Sequence, residues 1–110
     1  MILAALALAC TPAVHDGDTF RCGSERIRIA DIDAPELRGK CPSERALALR
    51  ARNRLAELLR QPFTLVRSGR DRDRYGRLLR VVVQRGRSVG DVLVREKLAR
   101  TWTGRREPWC

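Results

Sequence analysis

Polar and apolar residues alternate through Glu25-Arg26-Ile27-Arg28-Ile29, which sends Ile27 and Ile29 to one face of a strand and Arg26 and Arg28 to the other. Upstream, Cys10 to His15 reads as a strand, Asp16-Gly17 suits a left-handed tight turn, and Thr19, Phe20 and Arg21 make the return strand. Gly23-Ser24 turns the chain into the alternating strand, giving a three-strand meander. Asp31 falls in the continuation of that strand, where an apolar or small residue is expected, and Pro35 ends it. Glu36 to Pro42 forms a loop leading to a helix capped by Ser43. From Ser43 to about Arg60, Leu47, Ala51, Leu55 and Leu58 recur at helical spacing among arginines, which predicts an amphipathic helix. Pro62 starts a strand through Phe63 and Leu65, Ser68 to Gly76 is a charged loop, and Leu78 to Gln84 carries the β-branched run Val81-Val82-Val83 of a buried strand. Ser88 with Asp91 three residues later marks the start of a second helix, whose apolar stripe is Val89, Val92 and Leu93.

Five strands, with a helix between the third and the fourth, is the element order of an OB-type fold. The expected class is therefore a β-barrel with helices (α+β): a five-stranded barrel with two helices, a shape whose open face commonly receives single-stranded nucleic acid. The 110 residues suffice for one core, so residues 10–110 are expected to form one domain. Met1 to Ala9 is uncharged and apolar, too short to span a bilayer, and reads as an export-signal remnant or as the approach to the first strand, the former being the expectation.

Charge narrows the function. Lys and Arg total 23 against 13 Asp and Glu, a formal net charge of +10, and a polyanion is the natural partner. All but Lys40 and Lys97 of these cations are Arg, whose planar fork holds two phosphate oxygens at once. The acids are not spread evenly: Asp16, Asp18, Glu25, Asp31, Asp33 and Glu36 are six of the 13. Such an island would repel phosphate unless a metal or arginine partners offset it. Four cysteines (Cys10, Cys22, Cys41, Cys110), no Cys-x-x-Cys pair and one histidine favour disulfides over zinc, and hence an oxidising, secreted or periplasmic setting. Of the three possible pairings, Cys10 with Cys22 across a hairpin and Cys41 with Cys110 at the tail is the expected one.

Three segments carry candidate chemistry: Asp16-Gly17-Asp18-Thr19, Arg28 through Asp33-Ala34-Pro35-Glu36, and Asp73-Arg74-Tyr75-Gly76-Arg77. Each alone is a plausible turn or loop. In this order and spacing they closely resemble the staphylococcal nuclease (thermonuclease-like) family, over about Val14 to Ala99. The resemblance implies a Ca²⁺-dependent endonuclease acting on DNA and/or RNA and leaving 3′-phosphate ends. It implies Asp18, Asp33 and the backbone carbonyl of Ala34 as calcium ligands, with Asp16 and Thr19 in support behind them. An all-oxygen donor set suits a hard cation, Ca²⁺ or in principle Mg²⁺. Glu36, three residues past Asp33 and beyond a rigid proline, takes a general base's position, and Arg28 and Arg77 clamp the phosphate and favour its transition-state charge. Arg74 and Tyr75 match the family's nucleotide-side positions, and a monomer is expected.

The match loosens at the end of the chain. Cys110 falls where better-known members continue into a further helix, and Trp102 and Trp109 stand in a region where the family has tyrosines. Either tryptophan could stack on a base or close the core. The alternative to the enzyme is a non-catalytic OB-fold nucleic-acid-binding module, which has no need of three carboxylates facing phosphate.

Overall fold

A computed structural model describes residues 10–110; the expected export-signal remnant, Met1 to Ala9, lies outside the described residues. The meander forms from β1 (Pro12–Asp16), β2 (Thr19–Cys22) and β3 (Glu25–Ile29), paired antiparallel in sequence. Phe20 faces Ile27 across β2 and β3, and Ile27 and Ile29 are buried while Arg26 is exposed, as the alternation requires. β3 does not run on to Pro35. It stops at Ile29, turns at Ala30-Asp31 and resumes as the two-residue β4 (Ile32–Asp33). Asp31 therefore belongs to a turn rather than to a strand, which accounts for a carboxylate at that place.

The first helix, α1 (Pro42–Leu58), is capped differently from expectation. Cys41 is the N-cap, without a side-chain cap bond, and Pro42 opens the helix where its missing N–H costs nothing. Its buried stripe is Glu44, Ala48, Ala51 and Leu55, rotated from the expected Leu47 and Leu58, which are only partly buried. Small residues at 48 and 51 let α1 lie close against β1. There Gly17 fulfils a role other than a left-handed turn: a Cβ at this position would stand 2.8 Å from the Ala51 Cβ and 3.0 Å from the Ala34 Cβ. The glycine is what lets hairpin, helix and the Asp33-Ala34 segment meet.

β5 (Thr64–Val66) pairs antiparallel with β6 (Leu78–Gln84), and the first residues of β6 pair in parallel with β3. The main sheet runs β1-β2-β3-β6-β5, with β7 (Arg87–Ser88) on β6. The expected five-stranded barrel does not close: among the described residues the ends of this mostly antiparallel sheet, β1 and β5, are not paired. β5 spans only three residues after Pro62, which has no N–H for a ladder. The second helix, α2 (Val89–Arg95), starts as expected, with the Ser88 hydroxyl accepting the Asp91 N–H at 3.0 Å. β8 (Arg100–Thr101) pairs antiparallel with β4, setting Arg100 opposite Asp33. The core gathers Phe20, Ile27, Ile29 and Val82 from the sheet, Ala51 and Leu55 from α1, and Val89 and Leu93 from α2.

Both disulfides take the expected pairing. Cys10–Cys22 spans the first hairpin, and Cys41–Cys110 fastens the C-terminal segment to the start of α1. Two such bonds are of the kind that persists in an oxidising compartment. No helix among the described residues is long and apolar enough to cross a membrane.

Candidate active site

The three motif segments line one cleft of roughly 670 Å³, whose walls include Asp18, Arg28, Ala34, Glu36, Arg77 and Trp102. The β1–β2 turn supplies the first carboxylates. Asp16 Oδ1 accepts the Asp18 N–H at 3.2 Å, a local bond of the kind that holds an Asx turn. Asp18, buried at 6% exposure, accepts the Thr19 hydroxyl at 3.0 Å through Oδ1 and the Ala34 N–H at 2.9 Å through Oδ2. The last bond joins the turn to the β4 segment, so the Asp18 carboxylate and Asp33-Ala34 arrive together. Asp33, at 3% exposure, receives the Trp109 indole N–H on Oδ2 at 3.3 Å, while its Oδ1 is buried without a hydrogen-bond donor.

Arg28 lies between the two aspartates, 3.5 Å from Asp18 Oδ2 and 4.0 Å from Asp33 Oδ1. Its other terminal nitrogen donates to the backbone carbonyls of Ile29 and Ile32, the latter at 2.9 Å, so the guanidinium is pinned by the turn around Asp31. Glu36 points to solvent, but its backbone is fixed: the buried Glu44 carboxylate accepts the Glu36 N–H at 3.0 Å and the Lys40 N–H at 3.1 Å. Gly39 lies so near that an added Cβ would meet Glu44 side-chain atoms at 2.3 Å.

The arginine loop is held mainly from within, with one long-range tie from the Arg26 guanidinium to the Tyr75 carbonyl. Asp73 accepts the backbone N–H groups of Tyr75 at 2.9 Å and Arg77 at 3.0 Å, and the Arg77 Nε–H at 2.7 Å. Gly76 takes a positive φ of 82° to close the turn. Tyr75 is exposed, with the Arg74 and Arg77 guanidinium carbons 5.0 and 5.4 Å from its ring centre.

Electrostatics divide the site. Burial, then the charge of Asp18, pushes the Asp16 carboxyl from 3.8 up to about 7. Burial also raises Asp33, against the opposing charge of Arg106. At Asp73 burial again acts upward, but the donors from Arg77 and Tyr75 outweigh it and hold the carboxyl below its ordinary value. Crowded, desolvated carboxylates with one orphaned oxygen form a donor set that a hard cation would satisfy, and Asp18, Asp33 and the adjacent Ala34 backbone fit such an ion. The one His/Cys/Asp/Glu cluster tight enough to suggest a metal among the described residues, Cys41, Glu44 and Cys110, offers no thiolate, because its cysteines form a disulfide.

Comparison with protein families matches residues 26–108 to the model described as Staphylococcal nuclease homologue. The chain belongs to the staphylococcal nuclease family. A comparison with curated proteins finds no match. The family match takes in Arg28, Asp33, Ala34, Glu36, Arg74, Tyr75 and Arg77; Asp16, Asp18 and Thr19 precede it and are joined to it by the hydrogen bond from Ala34 to Asp18. Membership implies an OB-type fold, a nuclease-like chemistry, typically with Ca²⁺, and a nucleic-acid substrate.

Three residues at this family member's site escape the motifs. Glu44 organises the loop bearing Glu36; its signal in the chain is an acid in the first turn of a proline-started helix. Arg106 stands 3.4 Å from both Asp33 Oδ1 and Glu36 Oε1, and Trp109 bonds Asp33, yet nothing local in the sequence points either residue back to the cleft. Trp102, open to core or base stacking, is not in the core: it is 37% exposed and lies 5.8 Å from the Arg28 guanidinium carbon at the cleft wall.

Proposed function

We propose that this chain is a calcium-dependent nuclease that hydrolyses phosphodiester bonds of DNA and/or RNA, leaving 3′-phosphate ends. The observation that carries the reading is the buried Asp18 and Asp33 pair, with Asp33 Oδ1 accepting no hydrogen bond, beside a cleft that Arg28, Arg74 and Arg77 also line. Asp18, Asp33 and the Ala34 carbonyl hold the calcium, and Asp16 and Thr19 support Asp18 from behind. The ion, when bound, supplies positive charge against the phosphoryl oxygens and offsets the carboxylates' repulsion of substrate.

Glu36, exposed at the cleft edge on a backbone held by Glu44, takes a proton from the attacking water. Arg28 and Arg77 approach from the sheet and the loop and favour the charge that grows on the equatorial oxygens. Arg74 and Tyr75 meet the nucleotide, the ring offering a stacking face and the guanidinium a phosphate contact. Residues 10–110 act as one domain and a monomer, secreted or periplasmic, with Met1 to Ala9 the remnant of the export signal.

A second reading, a nucleic-acid-binding module without turnover, draws on Arg106, which already neutralises Asp33 and Glu36. Incubation of single-stranded DNA with the oxidised protein in Ca²⁺, in Mg²⁺ and with chelator separates the two. The enzyme gives Ca²⁺-dependent cleavage to 3′-phosphate ends; tight binding without cleavage under any metal establishes the binding module instead.

A further inference from the structure

The segment Gly104–Cys110 returns from β8 to the cleft, and a disulfide together with two contacts of Arg100 sets the side chain of Trp109. Cys110, its neighbour, is bonded to Cys41 at the start of α1. Arg100, opposite Asp33 in the β4–β8 ribbon, puts its guanidinium carbon 3.8 Å from the Trp109 ring centre, a close cation–π stack. The same guanidinium donates to the carbonyls of Glu107 at 3.3 Å and Pro108 at 3.0 Å, fixing the backbone just before the tryptophan. The result is that the indole N–H, the only donor of that side chain, meets Asp33 Oδ2 at 3.3 Å.

A hydrogen bond to one carboxylate oxygen favours one rotamer, and the other oxygen is directed by the same bond. On Asp33 that other oxygen is Oδ1, buried, accepting no hydrogen bond and 3.4 Å from Arg106, an ion pair that a bound cation would replace. Groups that hold a ligand from behind in this way govern metal affinity about as strongly as a tenfold to hundredfold change. We infer that Trp109 is a positioning residue for the cation site: it locks Asp33 through Oδ2 so that Oδ1 faces the ion, and the Cys41–Cys110 disulfide keeps the indole in place. This inference rests on the calcium reading of the Asp18 and Asp33 pair, and it makes the disulfide-tethered tail a working part of the site.

Trp109→Phe is the sharpest variant, because the ring stays on Arg100 and only the donor is lost. Titration calorimetry with Ca²⁺ on the full chain should show affinity about 10-fold weaker, with the melting temperature of the metal-free protein unchanged. Saturating Ca²⁺ should restore kcat, which a general structural defect would not permit. The double variant Cys41→Ser, Cys110→Ser frees the tail while keeping the indole, and its affinity should fall comparably. Adding Trp109→Phe to that double variant should then change affinity by less than about 3-fold, as expected for groups acting through one contact. Unchanged Ca²⁺ affinity in Trp109→Phe overturns the inference while leaving the calcium reading intact, and full additivity of the two lesions overturns the tether's part in it. Failure of the unaltered protein to bind Ca²⁺ overturns the reading and the inference together.

Discussion

The two sides of the cleft are built by opposite means. The carboxylate side is assembled over long stretches of chain: Asp18 is held by Ala34, Asp33 by Trp109, and Glu36 by Glu44 on a helix. The arginine side is assembled chiefly within five residues, by Asp73 bonding Tyr75 and Arg77, with one outside bond from Arg26. Burial follows the same division, since Asp18 and Asp33 are inside while Arg74 and Tyr75 face solvent. A site for a small hard cation needs several oxygens converging to within tenths of an ångström in a desolvated place, which only packed elements supply. A polyanion arrives from solvent and tolerates a contact loop that is locally stiff yet open. One fold can thus join a packed carboxylate group and an open arginine loop along a single cleft.

The comparison can be broken most forcefully at its seam. Glu36 has a backbone fixed by the carboxylate side and a side chain in solvent, so Glu36→Gln should lower kcat by ~10²-fold or more while Ca²⁺ affinity and melting temperature hold. A normal rate in single-turnover assays would take Glu36 out of the chemistry. Gly17→Ala tests the packed side, because its Cβ would collide with Ala51 and Ala34. It should cost about 1–3 kcal/mol in chemical denaturation and weaken Ca²⁺ binding, leaving phosphate contacts at the arginine loop alone.

Asp73→Asn is its counterpart on the open side. Loss of the charged acceptor for Arg77 should raise KM for DNA about 10-fold, with Ca²⁺ affinity within twofold of the original, because the lesion stays inside the loop. Equal damage to Ca²⁺ binding would show the two sides to be one cooperative unit.

The smallest expected effect is in pH. Asp16, raised from 3.8 to about 7, binds more protons in the folded than in the unfolded chain across that interval. Its contribution to metal-free stability is therefore fully present below 3.8 and is lost as pH rises through about 7. Asp73, lowered, acts in reverse: its contribution is present above the ordinary carboxylate range and disappears as acid protonates it. Because a cation beside Asp18 also favours ionised Asp16, Ca²⁺ affinity measured by calorimetry should rise between about pH 6 and 8, with protons released on binding. A flat profile would mean that Asp16 is not coupled to the ion.

What was legible in the chain divides along the same line. The arginine loop could largely be read from its own residues, because Asp73, Tyr75, Gly76 and Arg77 interact within a single turn; the bond from Arg26 to the Tyr75 carbonyl could not. Strands with strict alternation, such as Glu25–Ile29, and the Ser88 cap were legible for the same reason. The motif order also identified Asp18, Asp33 and Glu36 as a group, and the cysteine pairing followed expectation.

The local pattern misplaced features decided by distant atoms. Leu47 and Ala48 both suit a helical stripe, and the close approach of β1 chose the smaller residue. Asp31 read as a strand residue until the turn at Ala30 took it out of the ladder and gave it the Ser88 hydroxyl at 2.6 Å. The barrel stays open because β1 pairs only with β2 and β5 only with β6 among the described residues, which no local pattern reveals. By itself, then, the sequence determined the chemistry available, the charge, the strand periods and the self-built arginine loop, since each depends on residue type and near neighbours. Only the tertiary structure decided that Glu44, Arg106 and Trp109 attend the cleft and that Asp33 Oδ1 is buried without a hydrogen bond, because those outcomes depend on packing and a disulfide that join residues far apart along the chain.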